Sequence, residues 1–287
     1  MLKMIVMDMD GTLLGAGETI TEPNKEALHQ AMKEGIRLCI ASGRSASGVL
    51  PLLKKNGLKA DLILGNGAQF ANEQGEVLSA HYFPKQRLKE VLDVFSHYGI
   101  HLMIFGAHDC YYSVEEPNIV RDAFLTRTSH RFGYDFQALK NDETKAYPCK
   151  HLVKKTCEEL VNGNEETIKI EAFDMDTNKI ALAKKDLPNI SEIAFLSSFD
   201  DNVEVTGFQA QKGLILEEVL HHFHLTKQEV LVMGDGMNDL TLFERFPYSY
   251  APANSVEEIK ALAYKVVSSC DETDVKDAIE DFKALNQ

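Results

Sequence analysis

Two carboxylates, Asp8 and Asp10, stand two residues apart directly after the apolar run Met4–Met7 and just before Gly11 and Thr12. A buried strand ending in Asp-x-Asp can offer one carboxylate as a nucleophile and the second as the group that moves a proton to or from the leaving oxygen. Gly11 permits the tight turn that lets backbone approach an ion. Three other apolar runs end the same way, in small, polar or charged residues: Ala41-Ser42-Gly43-Arg44, Gly65-Asn66-Gly67-Ala68 and Gly234-Asp235-Gly236-Met237-Asn238-Asp239. Lys212-Gly213 opens a predicted helix, where a fixed positive charge and free backbone N–H groups favour an anion.

In an open parallel sheet, ligands bind at the carboxyl ends of the strands, so these stretches converge on one crevice. Asp8, Asp10, Asp235 and Asp239 would repel one another there and become harder to ionise, a cost that a bound cation removes. Oxygen ligands in this number suit Mg²⁺, which retains waters and bridges carboxylates to a substrate phosphate. With the hydroxyls of Thr12 and Ser42 and the charge of Lys212, the set has the make-up of a phosphoryl-transfer site, where positioning and charge neutralisation supply most of the catalysis.

Competing templates fit less well. An EF-hand places its glycine after a third acidic position, whereas here it follows the second. Gly234–Asp239 lacks the third glycine of a dinucleotide fingerprint, and the stretch around Lys212 misses the P-loop spacing. A paired-carboxylate glycosidase needs neither the cation cluster nor Lys212. His221, His222 and His224 read as a helix C-terminus, where histidines meet the dipole favourably.

Elements that could position the site alternate along both ends of the chain. A strand at Met4–Met7, a helix from the cap Thr21 to Met32, a strand near Arg37–Ala41, a helix after Ser45 and a strand at Asp61–Leu64 argue for a parallel sheet with right-handed crossovers. A hairpin about Gly75 follows. From 83 to 207 the pattern becomes paired strands interspersed with helices: helix from Lys85, strands at 100–105 and 110–114, helix around 153–161, strand 167–173, helix 177–187, and strands at 192–198 and 202–206. Tyr111, Tyr112, Phe105 and Phe124 are expected in its core. The first pattern then resumes, with a helix at 212–223, a strand at 229–235, a helix at 239–246, a strand at 248–251, a helix after the capping box Ser255-x-x-Glu258, a strand at 264–269 and a last helix from Asp274. The expected architecture is a Rossmann-like, doubly wound α/β core (1–82 and 208–287) with an inserted α+β domain (83–207).

Composition limits the partners. Among 287 residues, 30 Lys and Arg face 44 Asp and Glu, a net charge of −14 that disfavours nucleic acid and anionic membrane surfaces. Five scattered cysteines without a Cys-x-x-Cys pair read as reduced thiols, and no run approaches the ~20 apolar residues of a membrane span. A cytoplasmic protein, monomeric or homodimeric, is expected.

The four signatures Asp8–Thr12, Ala41–Arg44, Lys212-Gly213 and Gly234–Asp239, in this order, resemble those of the haloacid dehalogenase superfamily, in its Cof-type phosphatase branch. The resemblance implies Asp8 as nucleophile and metal ligand, Asp10 as general acid/base with its carbonyl on Mg²⁺, and Ser42 and Lys212 as holders of the phosphoryl oxygens. It implies Asp235 and Asp239 as further metal ligands, and Thr12, Gly43, Arg44, Asn66, Gly67 and Asn238 on the substrate side. The inserted domain matches the type IIB cap, which in the family covers the site and selects the leaving group. Two stretches depart from the family pattern, Ala253-Asn254-Ser255 and Asp274-Val275-Lys276, neither expected to touch the catalytic set. The expected activity is Mg²⁺-dependent hydrolysis of a small phosphorylated metabolite, such as a sugar phosphate, with a phosphomutase or a non-catalytic phosphate-binding regulator as alternatives.

Overall fold

The computed structural model describes residues 1–142, 149–197 and 199–285. In chain order it begins β1 (Met4–Met7), α1 (Glu22–Lys33), β2 (Arg37–Ala41), α2 (Ala46–Lys55), β3 (Asp61–Leu64), β4 (Gln69–Ala71) and β5 (Val77–Ala80). There follow α3 (Lys85–Tyr98), β6 (His101–Gly106), β7 (Tyr111–Ser113), α4 (Pro117–Phe132), α5 (Phe136–Asn141), β8 (Leu152–Lys154), α6 (Cys157–Asn162), β9 (Thr167–Phe173), α7 (Thr177–Asp186), β10 (Ile193–Leu196) and β11 (Asn202–Gly207). The chain closes with α8 (Lys212–Phe223), β12 (Val230–Met233), α9 (Leu240–Arg245), β13 (Ser249–Ala251), α10 (Glu257–Leu262), β14 (Lys265–Val266) and α11 (Asp274–Ala284). Two compact units result, Met1–His81 with Gln209–Gln287, and Tyr82–Phe208.

The first unit holds an eight-stranded sheet in the order β14-β13-β12-β1-β2-β3-β4-β5. Strands β14 to β3 run parallel, and the β4–β5 hairpin adds two antiparallel strands at one edge. The two central parallel strands, β1 and β12, are apolar and buried throughout because both their faces are covered. On β1, Ile5 and Met7 point into a core with Leu28, Ala31, Val275, Ile279 and Phe282 of α1 and α11. Met4 and Val6 point the other way, onto Ile215, Leu216 and Val219 of α8 and Leu242 of α9. Chain order reverses between β1 and β12, the switch point at which a doubly wound sheet opens a crevice.

In the second unit the order is β10-β11-β9-β6-β7-β8, antiparallel except for the parallel pair β7–β8. One face packs under α3 and α7 around Phe95, Ile104, Ile170 and Val205, the other under α4 and α5 around Met103, Val120, Leu125 and Leu139. Tyr111 and Tyr112 lie in these cores, and Phe105 and Phe124 pack against them.

Some expectations need correction. Helices α4 and α5 have no counterpart in the sequence reading: α4 turns Arg127 inward, where Asp201 at 2.9 Å and Glu171 at 3.5 Å answer its charge, so the apolar repeat is broken by a buried cation. The helix expected around 153–161 begins only at Cys157, behind a capping box in which Glu159 N donates to Thr156 Oγ1 and Thr156 N to Glu159 Oε2; Val153 and Lys154 instead belong to β8. Ser255 does not cap α10. Its hydroxyl donates to Gly234 O at 3.4 Å, and Val256 takes the cap position. Ser198, the end of an expected strand, lies outside the described residues.

Helices α1 and α11 are latched by polar groups buried between them. Asn24 Nδ2 donates to Asp274 Oδ1 at 2.6 Å, and Asn24 Oδ1 accepts from Lys276 N at 3.1 Å. Burial pushes the Asp274 carboxyl up to about 7, against the hydrogen bonds from Val275 N and Asn24 that pull it down. A carboxyl whose pKa is raised by folding binds more protons in the native state, so its contribution to stability is lost as pH rises from its unfolded value near 4 toward 7. Thermal unfolding across that window should show wild type losing stability relative to Asp274→Asn, which has no charge to bury; parallel profiles would contradict the assignment.

Candidate active site

The register of β1 on β12 pairs Met7 with Met233, so Asp8 and the loop Gly234–Asp235 emerge side by side at the carboxyl ends of adjacent strands. Asp8 N donates to Met233 O at 3.0 Å, which fixes Asp8 to the neighbouring strand. Gly11 adopts φ +82, and a Cβ there would stand 2.4 Å from Asp235 Oδ2; glycine is required both for the turn and for the approach of the second acidic loop. Thr12, fully buried, donates through Oγ1 to Asp235 Oδ1 at 3.0 Å.

Asp239 ends the short turn Met237–Asp239 and folds back on its own loop. Its Oδ2 accepts from Asp235 N at 3.0 Å and Gly236 N at 3.1 Å. Lys212, the first residue of α8 and entirely buried, joins the two loops: Nζ donates to Asp8 Oδ1 at 2.5 Å and to Asp239 Oδ1 at 2.7 Å. Gly213 allows the helix start to lie against α9, since a Cβ would meet Thr241 O at 2.2 Å. Its N–H donates to Thr241 Oγ1 at 2.9 Å.

The electrostatics follow from this packing. Burial pushes the Asp8 carboxyl well above the usual range; Lys212 pulls it down, while Asp239 and Asp235 push it further up. Asp235 is raised to about 7, by burial first and by Asp239 second. Burial alone would lower Lys212, but Asp239 and Asp8 more than reverse it, so the ammonium stays charged. Carboxylate oxygens of Asp8, Asp235 and Asp239 all lie within 4.8 Å of one another. Three hard oxygen donors at this spacing, two of them made reluctant to ionise, fit a divalent cation.

The remaining expected residues fall in distinct places. Ser42, buried at the end of β2, accepts from Arg44 N at 3.1 Å through Oγ and through its carbonyl from Asn66 N at 3.0 Å, so the second and third loops are joined. Asn66 is buried with φ +60, Gly43 packs against its side chain, and Gly67 lies on the backbone of Gln211. Asn238 is half-buried beside Gly236. Asp10 differs from the other three acids: its exposed side chain is outside the carboxylate cluster and accepts a two-armed bond from Arg44, which also holds Glu18. The guanidinium expected on the substrate side is therefore engaged with protein carboxylates.

Asn254, in one of the two stretches that depart from the family pattern, reaches the backbone of the loop after β1. Its Nδ2 donates to Gly11 O at 2.7 Å while its Oδ1 accepts from Cys270 N at 3.0 Å, so it ties that loop to the segment before α11. Its place in the Ala-Asn-Ser stretch, where the family carries Gly-Asn-Ala, was the available signal. Glu18 had no signal in the sequence.

A profile of the haloacid dehalogenase-like hydrolases matches residues 5–279. The chain belongs to that family. As an enzyme it falls in the phosphoric monoester hydrolase class of the superfamily, in agreement with the Cof-type resemblance of its four signatures. Phosphatase YwpJ of Bacillus subtilis is 25% identical over 275 residues, which cover 94% of this chain and 96% of the relative. The 5-amino-6-(5-phospho-D-ribitylamino)uracil phosphatase YwtE of the same organism is 25% identical over 282 residues, 96% of each chain. A solved haloacid dehalogenase-like hydrolase from B. subtilis has the same fold, with a TM-score of 0.82 at 24% identity over 97% of this hydrolase and 99% of that chain.

Removing Lys212 would leave two carboxylates buried without their counter-charge. Lys212→Met is expected to cost about 3–5 kcal/mol in urea unfolding without divalent cation. The loss should be larger at about pH 8 than at about pH 5, where the stranded carboxyls take up protons. A variant as stable as wild type at both would refute the buried triad.

Proposed function

We propose that the hydrolase is a Mg²⁺-dependent phosphatase that cleaves phosphate monoesters of small metabolites, polyol or sugar phosphates among them, through a phospho-aspartate on Asp8. The observation that carries this reading is the buried Asp8, with Oδ1 held by Lys212 and with Asp235 and Asp239 beside it. Asp8 Oδ2 is then the oxygen left to attack phosphorus. The new Asp8–phosphorus bond forms as the ester bond breaks, and Asp10, protonated once it has left the Arg44 fork that occupies both its oxygens here, gives its proton to the departing alkoxide. Water next attacks the phospho-aspartate while Asp10 takes up its proton; inorganic phosphate leaves and Asp8 is restored.

Lys212, kept charged by its two carboxylates, offsets charge gathering on the phosphoryl oxygens, and the Ser42 hydroxyl donates to one of them. Asp8, Asp235 and Asp239, with the Asp10 carbonyl, would hold the cation, which when bound neutralises the carboxylates and the phosphoryl group. Support for the substrate class comes from YwtE, whose name gives a phosphorylated ribityl chain as its substrate. Net negative charge and the lack, among the described residues, of a helix long and apolar enough to cross a membrane fit a small soluble ligand.

Purified protein should release phosphate from p-nitrophenyl phosphate and from a panel of sugar and polyol phosphates with Mg²⁺, and lose that activity in excess chelator. Asp8→Asn should lower turnover by about a thousandfold or more. Metal-independent hydrolysis, an isomerised sugar phosphate formed without free phosphate, or an active Asp8→Asn would each count against this reading.

A further inference from the structure

Three consecutive residues between β13 and α10 each hold a backbone carbonyl of the two loops that carry the acidic cluster. Asn254 Nδ2 donates to Gly11 O at 2.7 Å, in the loop after β1. Ser255 Oγ donates to Gly234 O at 3.4 Å and Val256 N to Asp235 O at 3.0 Å, both in the loop after β12. One short segment therefore ties both loops to the same support, beside the direct bond from Thr12 to Asp235 and the ammonium of Lys212.

The segment is itself held. Ser255 N donates to Pro252 O at 2.9 Å, which closes a turn whose first residue has its φ set by the pyrrolidine ring. Ala253 N donates to Ser268 O at 3.2 Å, and Asn254 Oδ1 accepts from Cys270 N at 3.0 Å. With its oxygen on an N–H and its NH₂ on a carbonyl, the Asn254 carboxamide has one orientation that satisfies both partners.

Gly11 is where this hold acts on the site. It stands between Asp10, whose carbonyl the proposed function gives to the cation, and Thr12, whose hydroxyl holds Asp235 Oδ1. At φ +82 and without a side chain, its flanking peptide planes are fixed from outside: Gly11 N donates to Leu14 O at 3.1 Å, and Asn254 takes the carbonyl. Mg²⁺ requires near-octahedral ligands at about 2.0–2.1 Å, whereas Ca²⁺ accepts irregular shells at about 2.3–2.6 Å, so choice between them depends on how firmly the ligands are spaced.

We propose that Asn254 is a specificity-determining residue for the cation: by fixing Gly11 against the loop after β12, it keeps the oxygen ligands spaced for Mg²⁺ and against Ca²⁺. It is a positioning residue, acting through a backbone carbonyl rather than as a ligand. The inference rests on the cation site of the proposed function.

Calorimetric titration of the chelator-treated protein with Mg²⁺ and, separately, Ca²⁺, without substrate, tests it. Asn254 is exposed, so water competes for its bond. Asn254→Ala should weaken Mg²⁺ about fivefold, the scale of one lost hydrogen bond, and Ca²⁺ less than about twofold, so the ratio of the two dissociation constants moves toward Ca²⁺. Asn254→Asp keeps the shape, loses the donor and serves if the alanine variant folds poorly; its added charge attracts both dications, so the lost bond is what moves the ratio. Thr21→Val removes a 2.7 Å bond from Thr21 Oγ1 to Glu272 O, which braces the segment before α11 without reaching either loop, and should leave the ratio unchanged. An unchanged ratio in the Asn254 variants, or an equal shift in Thr21→Val, overturns the inference. A wild type that binds neither cation overturns the cation site itself.

Discussion

The ammonium of Lys212, enclosed between Asp8 and Asp239, is the contact on which the arrangement of the first unit's loops depends. Burying an ammonium costs several kcal/mol, and so does burying each carboxylate. Short charge-assisted bonds to both acids offset those costs only while α8, the loop after β1 and the loop after β12 keep their places. The close approaches at Gly11 and Gly213 are consequences of the same convergence, since a side chain at either would force the loops apart. Three carboxylates still face one ammonium, a formal excess of two negative charges. This excess is the physical reason the site suits a divalent cation and a phosphoryl group brought to it.

The fold makes the convergence possible without long loops. Because β1 and β12 are neighbours at the point where chain order reverses, residues more than two-thirds of the chain apart leave the sheet at the same level. Helices on both faces pin these strands through opposite side chains, Ile5 and Met7 on one side, Met4 and Val6 on the other. Farther out, Asn254, Ser255 and Asp271 brace the segments after β1 and β12 from the chain near α10 and α11. Stability of the sheet and precision of the site are therefore expected to vary together.

Much of this could be read in the sequence because doubly covered strands are continuous apolar runs, and their ends are marked by Gly, Asp, Asn and Ser. Asp8, Ser42, Asp235 and Asp239 stood out for that reason, and Lys212 because it opens a predicted helix. What escaped reading was decided by groups far apart in the chain. Arg127 disguises α4 because its neutralising partners, Glu171 and Asp201, lie on or beside other strands. Ser255 and Glu258 have the spacing of a capping box, yet the hydroxyl finds Gly234 O instead. The family resemblance put Arg44 on the substrate side, but the carboxylates of Asp10 and Glu18 claim it. Thr156 and Glu159 were different: their Thr-x-x-Glu spacing stood in the sequence and went unread, and it sets the start of α6 where the broader apolar pattern misplaced it.

A phospho-aspartate on Asp8 is the central claim, and the most direct measurement is to quench the enzyme with acid during turnover of a good substrate and map covalent phosphate by peptide mass spectrometry. Phosphate on the peptide that carries Asp8, absent without Mg²⁺ and absent from Asp8→Asn, is the predicted result. Steady turnover with no protein-bound phosphate, or with phosphate on a residue other than Asp8, would contradict it.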